Sequence, residues 1–217
     1  MKRSLVLIAT LIVSLTTAFL WGCGGGGGTP GQPGSQGTED IGVTFDATIT
    51  PFYLGGNFPE VDVIPIVDCD PSTPQLENEP FTDHFAVLRL NVRQIDPNST
   101  NEPKSLFIEK YSVEYRRAAD SIGAPPIQSD TKRDTITIQS PSGAGTNTVT
   151  TSVMLLDLIR KDIYREDVQS GQYDFTSDAL LNNYTATYTF EGKDQNGTPF
   201  RFQAQTNFII GSFNYCD

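Results

Sequence analysis

Tyr184 to Phe208 reads YTATYTFEGKDQNGTPFRFQAQTNF, and its alternation decides the fold. Tyr184, Ala186, Tyr188 and Phe190 alternate with threonines, and Phe200, Phe202, Ala204, Thr206 and Phe208 then alternate with polar residues. A period of two places each apolar set on one face of a strand. Between the runs, Asp194, Gln195, Asn196 and Gly197 supply turn chemistry, with Gly197 able to take positive φ. The stretch therefore predicts a long antiparallel hairpin.

The same period recurs upstream. Val43, Phe45, Ala47 and Ile49 alternate with Thr44, Asp46, Thr48 and Thr50, and Pro51 is expected to end that strand. Val61 to Val67 reads as a shorter strand, which Pro65 confines to a sheet edge. Ala86, Leu88, Leu90 and Val92 mark another, as do Phe107, Tyr111, Val113 and Tyr115. Ile136 and Ile138 predict a short strand, and Val149 to Met154 a further one. Leu156, Ile159 and Ile163 are spaced by three and four, which predicts one short helix over Leu155 to Glu166, with a continued strand as the alternative. Asp157, Asp162, Glu166 and Asp167 then form its solvated face, paired in part with Arg160, Lys161 and Arg165.

Seven to eight strands, separated by Pro, Gly, Asn and Ser clusters, with at most one short helix, describe an all-β antiparallel sandwich. In pattern it resembles the immunoglobulin-like and fibronectin-like modules of bacterial surface proteins, a likeness that implies a fold and no function. The 217 residues hold one such domain, over residues 41–217, and no repeat at a fixed period.

Residues 1–40 have another character. Lys2 and Arg3 precede an apolar core from Leu5 to about Leu15, the pattern of an export signal and too short for a convincing membrane span. Leu20, Trp21, Gly22 and Cys23 follow. This resembles the lipobox of bacterial lipoproteins, with Trp21 departing from the usual small or aliphatic residue. The resemblance implies removal of residues 1–22, a diacylglyceryl group on the Cys23 sulfur, and an acylated amino terminus. Gly24, standing where that family uses aspartate for inner-membrane retention, implies the outer membrane, with either leaflet open. From Gly24 to Asp40 there is no aliphatic or aromatic residue, so residues 23–40 are expected to form a disordered tether with a reach of roughly 20 to 25 Å.

Cys69 and Cys216 are the cysteines left in an exported domain, and a disulfide between them is the natural inference. It closes a loop of about 150 residues, worth roughly 4 to 5 kcal/mol in the chain-entropy model. A zinc site lacks ligands, since His84 is the sole histidine and no paired-cysteine spacing occurs. His84 lacks the context of a catalytic triad and is expected at a surface or strand end. Carboxylates cluster at Asp62, Asp68 and Asp70, around the predicted helix, and at Glu191 and Asp194, without the ladder of a calcium loop. Tyr111, Tyr115, Tyr184 and Tyr188 read as core, with a carbohydrate-binding face as the alternative.

The net charge of −11, which becomes −13 when Lys2 and Arg3 leave with a signal segment, excludes unassisted binding to nucleic acid or anionic lipid. These readings lead to a non-enzymatic, lipid-anchored interaction or structural module of the cell envelope. It has a membrane partner through its lipid, an envelope protein or glycan partner, no cofactor and no metal. One alternative is a module binding a glycan or small solute through the loops Pro71 to Pro80 and Ser121 to Thr131. The other is a hydrolase using a carboxylate pair.

Overall fold

A computed structural model describes residues 26–28, 34–52, 56, 58–64, 66–67, 77–78, 81–98, 102–171, 173 and 181–213. Its elements in chain order are β1 (Gly26–Gly28), the one-turn helix α1 (Thr38–Ile41), β2 (Val43–Phe52), β3 (Glu60–Asp62), β4 (Ile66–Val67), β5 (Glu77–Asn78), β6 (His84–Gln94) and β7 (Ser105–Arg117). A 3-10 turn (Ala119–Ser121), β8 (Asp130–Gln139), β9 (Thr146–Leu156), α2 (Leu158–Gln169), β10 (Asn182–Asp194) and β11 (Pro199–Gly211) follow.

The strands form a β-sandwich. One sheet has the order β1-β2-β6-β9 and the other β3-β11-β10-β7-β8, while β4 and β5 pair by themselves. The seven long strands thus divide three against four, in an immunoglobulin-like arrangement whose fourth strand, β8, pairs with the third strand rather than the fifth. All pairings are antiparallel except β3 with β11.

The hairpin forms as its sequence predicts, Tyr184 opposite Phe208 and Lys193 opposite Pro199. Gly197 closes the turn at φ 85°. Asp194 holds it, its carboxylate accepting from the backbone N–H groups of Asn196 and Thr198, both at 2.9 Å. The apolar faces of both sheets meet in one core. Phe45 of β2 stacks on Phe202 of β11 with centroids 4.5 Å apart, and Phe202 stacks on Phe190 of β10 at 4.9 Å.

Several elements differ from expectation. β2 runs on through Pro51, which pairs with Ala86. Proline is tolerated because β1 lies beside Phe45–Ala47 only, so no ladder donor is required of β2 on that side at Pro51. The strand expected over Val61–Val67 is split into β3 and β4, and β3 does take a sheet edge. β8 begins six residues before Ile136, since its polar first half, Asp130–Arg133, pairs with β7 without burying an apolar face. The helix starts three residues later than expected because Leu155 and Leu156 complete β9 in the core.

The tether also shortens. Gly26–Gly28 pair with β2, Gln36 bridges to Arg201 of β11, and Thr38 and Ile41 of α1 are buried. Composition misses this because backbone hydrogen bonds need no side chain, and a three-glycine strand contributes nothing else.

Strand directions give the sandwich two ends. The β10–β11 turn, α1, residues 95–98 and 102–104 and the loop 140–145 lie at one. At the other lie α2, the 3-10 turn, β3 and the starts of β6 and β10.

Candidate functional site

The α2 end collects most of the charged chemistry. Asp157, between β9 and α2, caps the helix: its carboxylate accepts from the Arg160 backbone N–H at 3.0 Å. The same carboxylate pairs with the Arg160 guanidinium at 2.6 Å and the Lys132 ammonium at 3.2 Å. Asp130 on β8 pairs with Lys132 at 2.7 Å and Arg160 at 3.3 Å. Burial pushes the Asp130 carboxyl up, but the Lys132 hydrogen bond and the Arg160 charge outweigh it and hold the group below its usual range. Arg160 also donates to the carbonyls of Gln128 and Ser129. Four charges and a helix start therefore fasten α2 to the β7–β8 connection.

Beneath the helix sits a second group. Lys161, 1 % exposed, and Tyr164 face inward, and Asp62 and His84 are buried near Lys161. Burial lowers the Lys161 ammonium to about 8, against the opposing pull of Asp62 and Asp83. Burial, and then the Lys161 charge, lowers His84 to about 4, against a backbone hydrogen bond at Phe58. The Phe81 ring lies 5.2 Å from the Lys161 nitrogen and 5.5 Å from the Arg165 guanidinium. Asp62 accepts from the N–H groups of Ile64 at 3.1 Å and Phe213 at 3.2 Å, tying β3 to the end of β11. A lysine with a lowered pKa is a usable nucleophile where a substrate reaches it, but this one is closed over. The arrangement neutralises buried charge and presents no reacting group to solvent.

This reverses the expected face of the helix. Ile159 is 69 % exposed and Ile163 is also exposed, whereas Lys161 and Tyr164 turn inward, Tyr164 accepting from the Asn182 side chain at 2.8 Å. The spacing Lys161, Tyr164, Val168 was the available signal; a lysine at its head disguised it. His84 does open β6, but it is fully buried rather than at the surface.

The tyrosines are core, as their alternation predicts. Tyr115 donates to the Leu155 carbonyl at 2.6 Å, Tyr188 to the Met154 carbonyl at 3.0 Å, and Tyr184 to the Pro125 carbonyl at 2.6 Å. Tyr111 accepts from the Met154 N–H at 2.9 Å. Burial raises the pKa of each of these four hydroxyls. Their rings line no open face.

Among the described residues, the carboxylates singled out in sequence are spread over the fold. Asp62 and Asp157 serve the α2 end, Asp194 holds the turn at the opposite end, and Glu191 pairs with Lys110 on the outer sheet face. Asp162 pairs with Arg165 at 2.8 Å. Among the described residues no group of three His, Cys, Asp or Glu side chains could hold a metal, and no helix is long and apolar enough to cross a membrane. Cys23, Cys69, Cys216, Asp68, Asp70 and the loop Pro71 to Pro80, apart from β5, lie outside the described residues. The loop Ser121 to Thr131 is described, and with α2 it borders a small cleft lined by Ile127, Gln128, Arg160, Ile163 and Tyr164.

Compared with protein-family models, with curated proteins and with solved structures, the chain matches none.

Proposed function

We propose that this chain is a lipid-anchored protein of the bacterial cell envelope whose β-sandwich acts by contact, as a non-enzymatic interaction or structural module. The observation that carries the reading is Leu20-Trp21-Gly22-Cys23 placed after a basic start and an apolar core, directly ahead of a folded sandwich. A lipid on Cys23 supplies the membrane partner, and two or three acyl chains give stable anchoring where one gives only marginal binding. Gly24 favours the outer membrane. A contact role is supported by the structural use of the buried acids: Asp62, Asp157 and Asp194 each accept backbone N–H bonds that hold a strand end, a helix start or a turn. Crosslinking in living cells followed by capture of the chain from membranes tests the contact role. Repeated recovery of one envelope protein or glycan is the expected outcome, and repeated recovery of none contradicts it.

A second reading, binding of a glycan fragment or small solute at the α2 end, draws little support from the cleft beside Ser121 to Thr131, which has room for about one water where ligand pockets span hundreds of Å³. Thermal stabilisation of the chain by envelope glycan fragments supports it. A melting temperature unmoved by a panel of them counts against it.

A further inference from the structure

Resting on the anchoring just proposed, we infer that the α2 end of the sandwich is seated in the lipid surface that holds Cys23. Every large apolar side chain that the described residues expose, Ile95 apart, lies at this end. Ile122, at 73 %, and Ile159, at 69 %, stand out furthest, and Leu158 and Ile163 are exposed with Ile159 on the outer side of α2, which also carries Asp162 and Glu166. Phe58, Phe85 and Leu181 are exposed near the starts of β3, β6 and β10, at the same end of the sandwich. Exposed apolar side chains gathered in one region mark a surface that meets protein or lipid. The inward turn of Lys161 and Tyr164 leaves α2 no other choice, since a helix that buries those two must present Ile159 and Ile163 outward.

The path of the chain selects lipid. β2 runs from Val43 toward the α2 end, and β1 lies antiparallel to it, Gly26 opposite Ala47 and Gly28 opposite Phe45. The chain therefore enters β1 travelling away from the α2 end. Cys23 is three residues before Gly26, a span of about 11 Å at most. A diacylglyceryl group on that cysteine is thereby held within about 11 Å of Gly26, the end of β1 nearer the apolar end. The acidic net charge gives no attraction to anionic headgroups, so the contact is apolar, with side chains entering the boundary of headgroups and acyl chains.

Trp21, the only tryptophan, leaves with the signal segment, so a substituted tryptophan reports alone. The full chain carrying Ile159→Trp, and separately Ile95→Trp at the opposite end, is expressed in a lipoprotein-processing bacterium, purified and reconstituted. The vesicles are phosphatidylcholine with or without bromine on the upper acyl chain. For side chains seated at the headgroup–acyl boundary, bromine quenches I159W fluorescence about twofold or more and leaves I95W unchanged. A chain that floats with the vesicles while I159W stays unquenched overturns the docking and leaves the anchor standing. A blue-shifted but unquenched I159W signal means that protein, such as a second copy, covers the helix, and this also overturns it. Failure to float overturns the anchor, and the docking with it.

Discussion

Met154 and Leu155 sit on β9, the outermost strand of its sheet, and tyrosine hydroxyls from the facing sheet take the place of a further strand there. That the tyrosines are core was legible, because their alternation with threonine and charged neighbours fixes a face. Which backbone groups they bond was not, since that depends on how two sheets stack. Gly192 is a comparable case. It stands at the β-bulge after Glu191, where an added Cβ meets the Phe107 carbonyl oxygen and comes within 2.8 Å of the Phe200 ring. Neither neighbour can yield cheaply, one being backbone and the other packed in the core. Gly192→Ala is therefore expected to cost about 2 to 4 kcal/mol, as overpacking with backbone displacement does. Urea unfolding measures it, and a loss below about 0.5 kcal/mol, the level of a neutral surface change, contradicts the packing described.

At the scale of elements, period-two strands were read well and the helix was read one face out of phase. A strand pattern has only two faces to choose between, whereas Leu158–Gln169 offers both Ile159-Ile163 and Lys161-Tyr164 as candidate inward pairs. Hydrophobicity alone selects the first pair. The fold selects the second because Asp157 fixes the helix start and Arg160 fixes its rotation through the carbonyls of Gln128 and Ser129. Removing Asp157 takes away the cap and both ion pairs. Asp157→Ala is expected to destabilise the chain by about 1 to 2 kcal/mol, mostly through the lost cap. Hydrogen exchange should show faster opening confined to the first turn of α2. Unchanged protection there contradicts the anchoring of the helix.

For the whole molecule, the sandwich was legible from alternation and turn residues, while the buried group of Asp62, His84 and Lys161 was not, because it is assembled from β3, β6 and α2. That group gives the stability profile its shape. His84 has a folded pKa of about 4 against an ordinary 6.5, so between those values the unfolded chain holds more protons. Its stability contribution is complete above pH 6.5 and lost as pH falls toward 4, by about 3 kcal/mol. Lys161, lowered from 10.5 to about 8, obeys the same sign, so stability rises again from pH 8 upward. The buried tyrosines have the opposite sign: their raised pKa values make stability fall once pH passes the ordinary 10. Denaturant midpoints across pH should therefore climb between 4 and 6.5, climb again above 8 and drop beyond 10. His84→Gln should flatten the acid limb, and an acid limb unchanged in that variant contradicts a buried neutral histidine.

The sandwich, its inverted helix and its short glycine leash form one account only if Cys23 carries lipid. An intact-mass spectrum of the amino-terminal peptide from the membrane fraction tests this most directly. The account predicts a peptide that begins at Cys23 and carries the mass of a diacylglyceryl group. An unmodified peptide beginning at any other residue would contradict it.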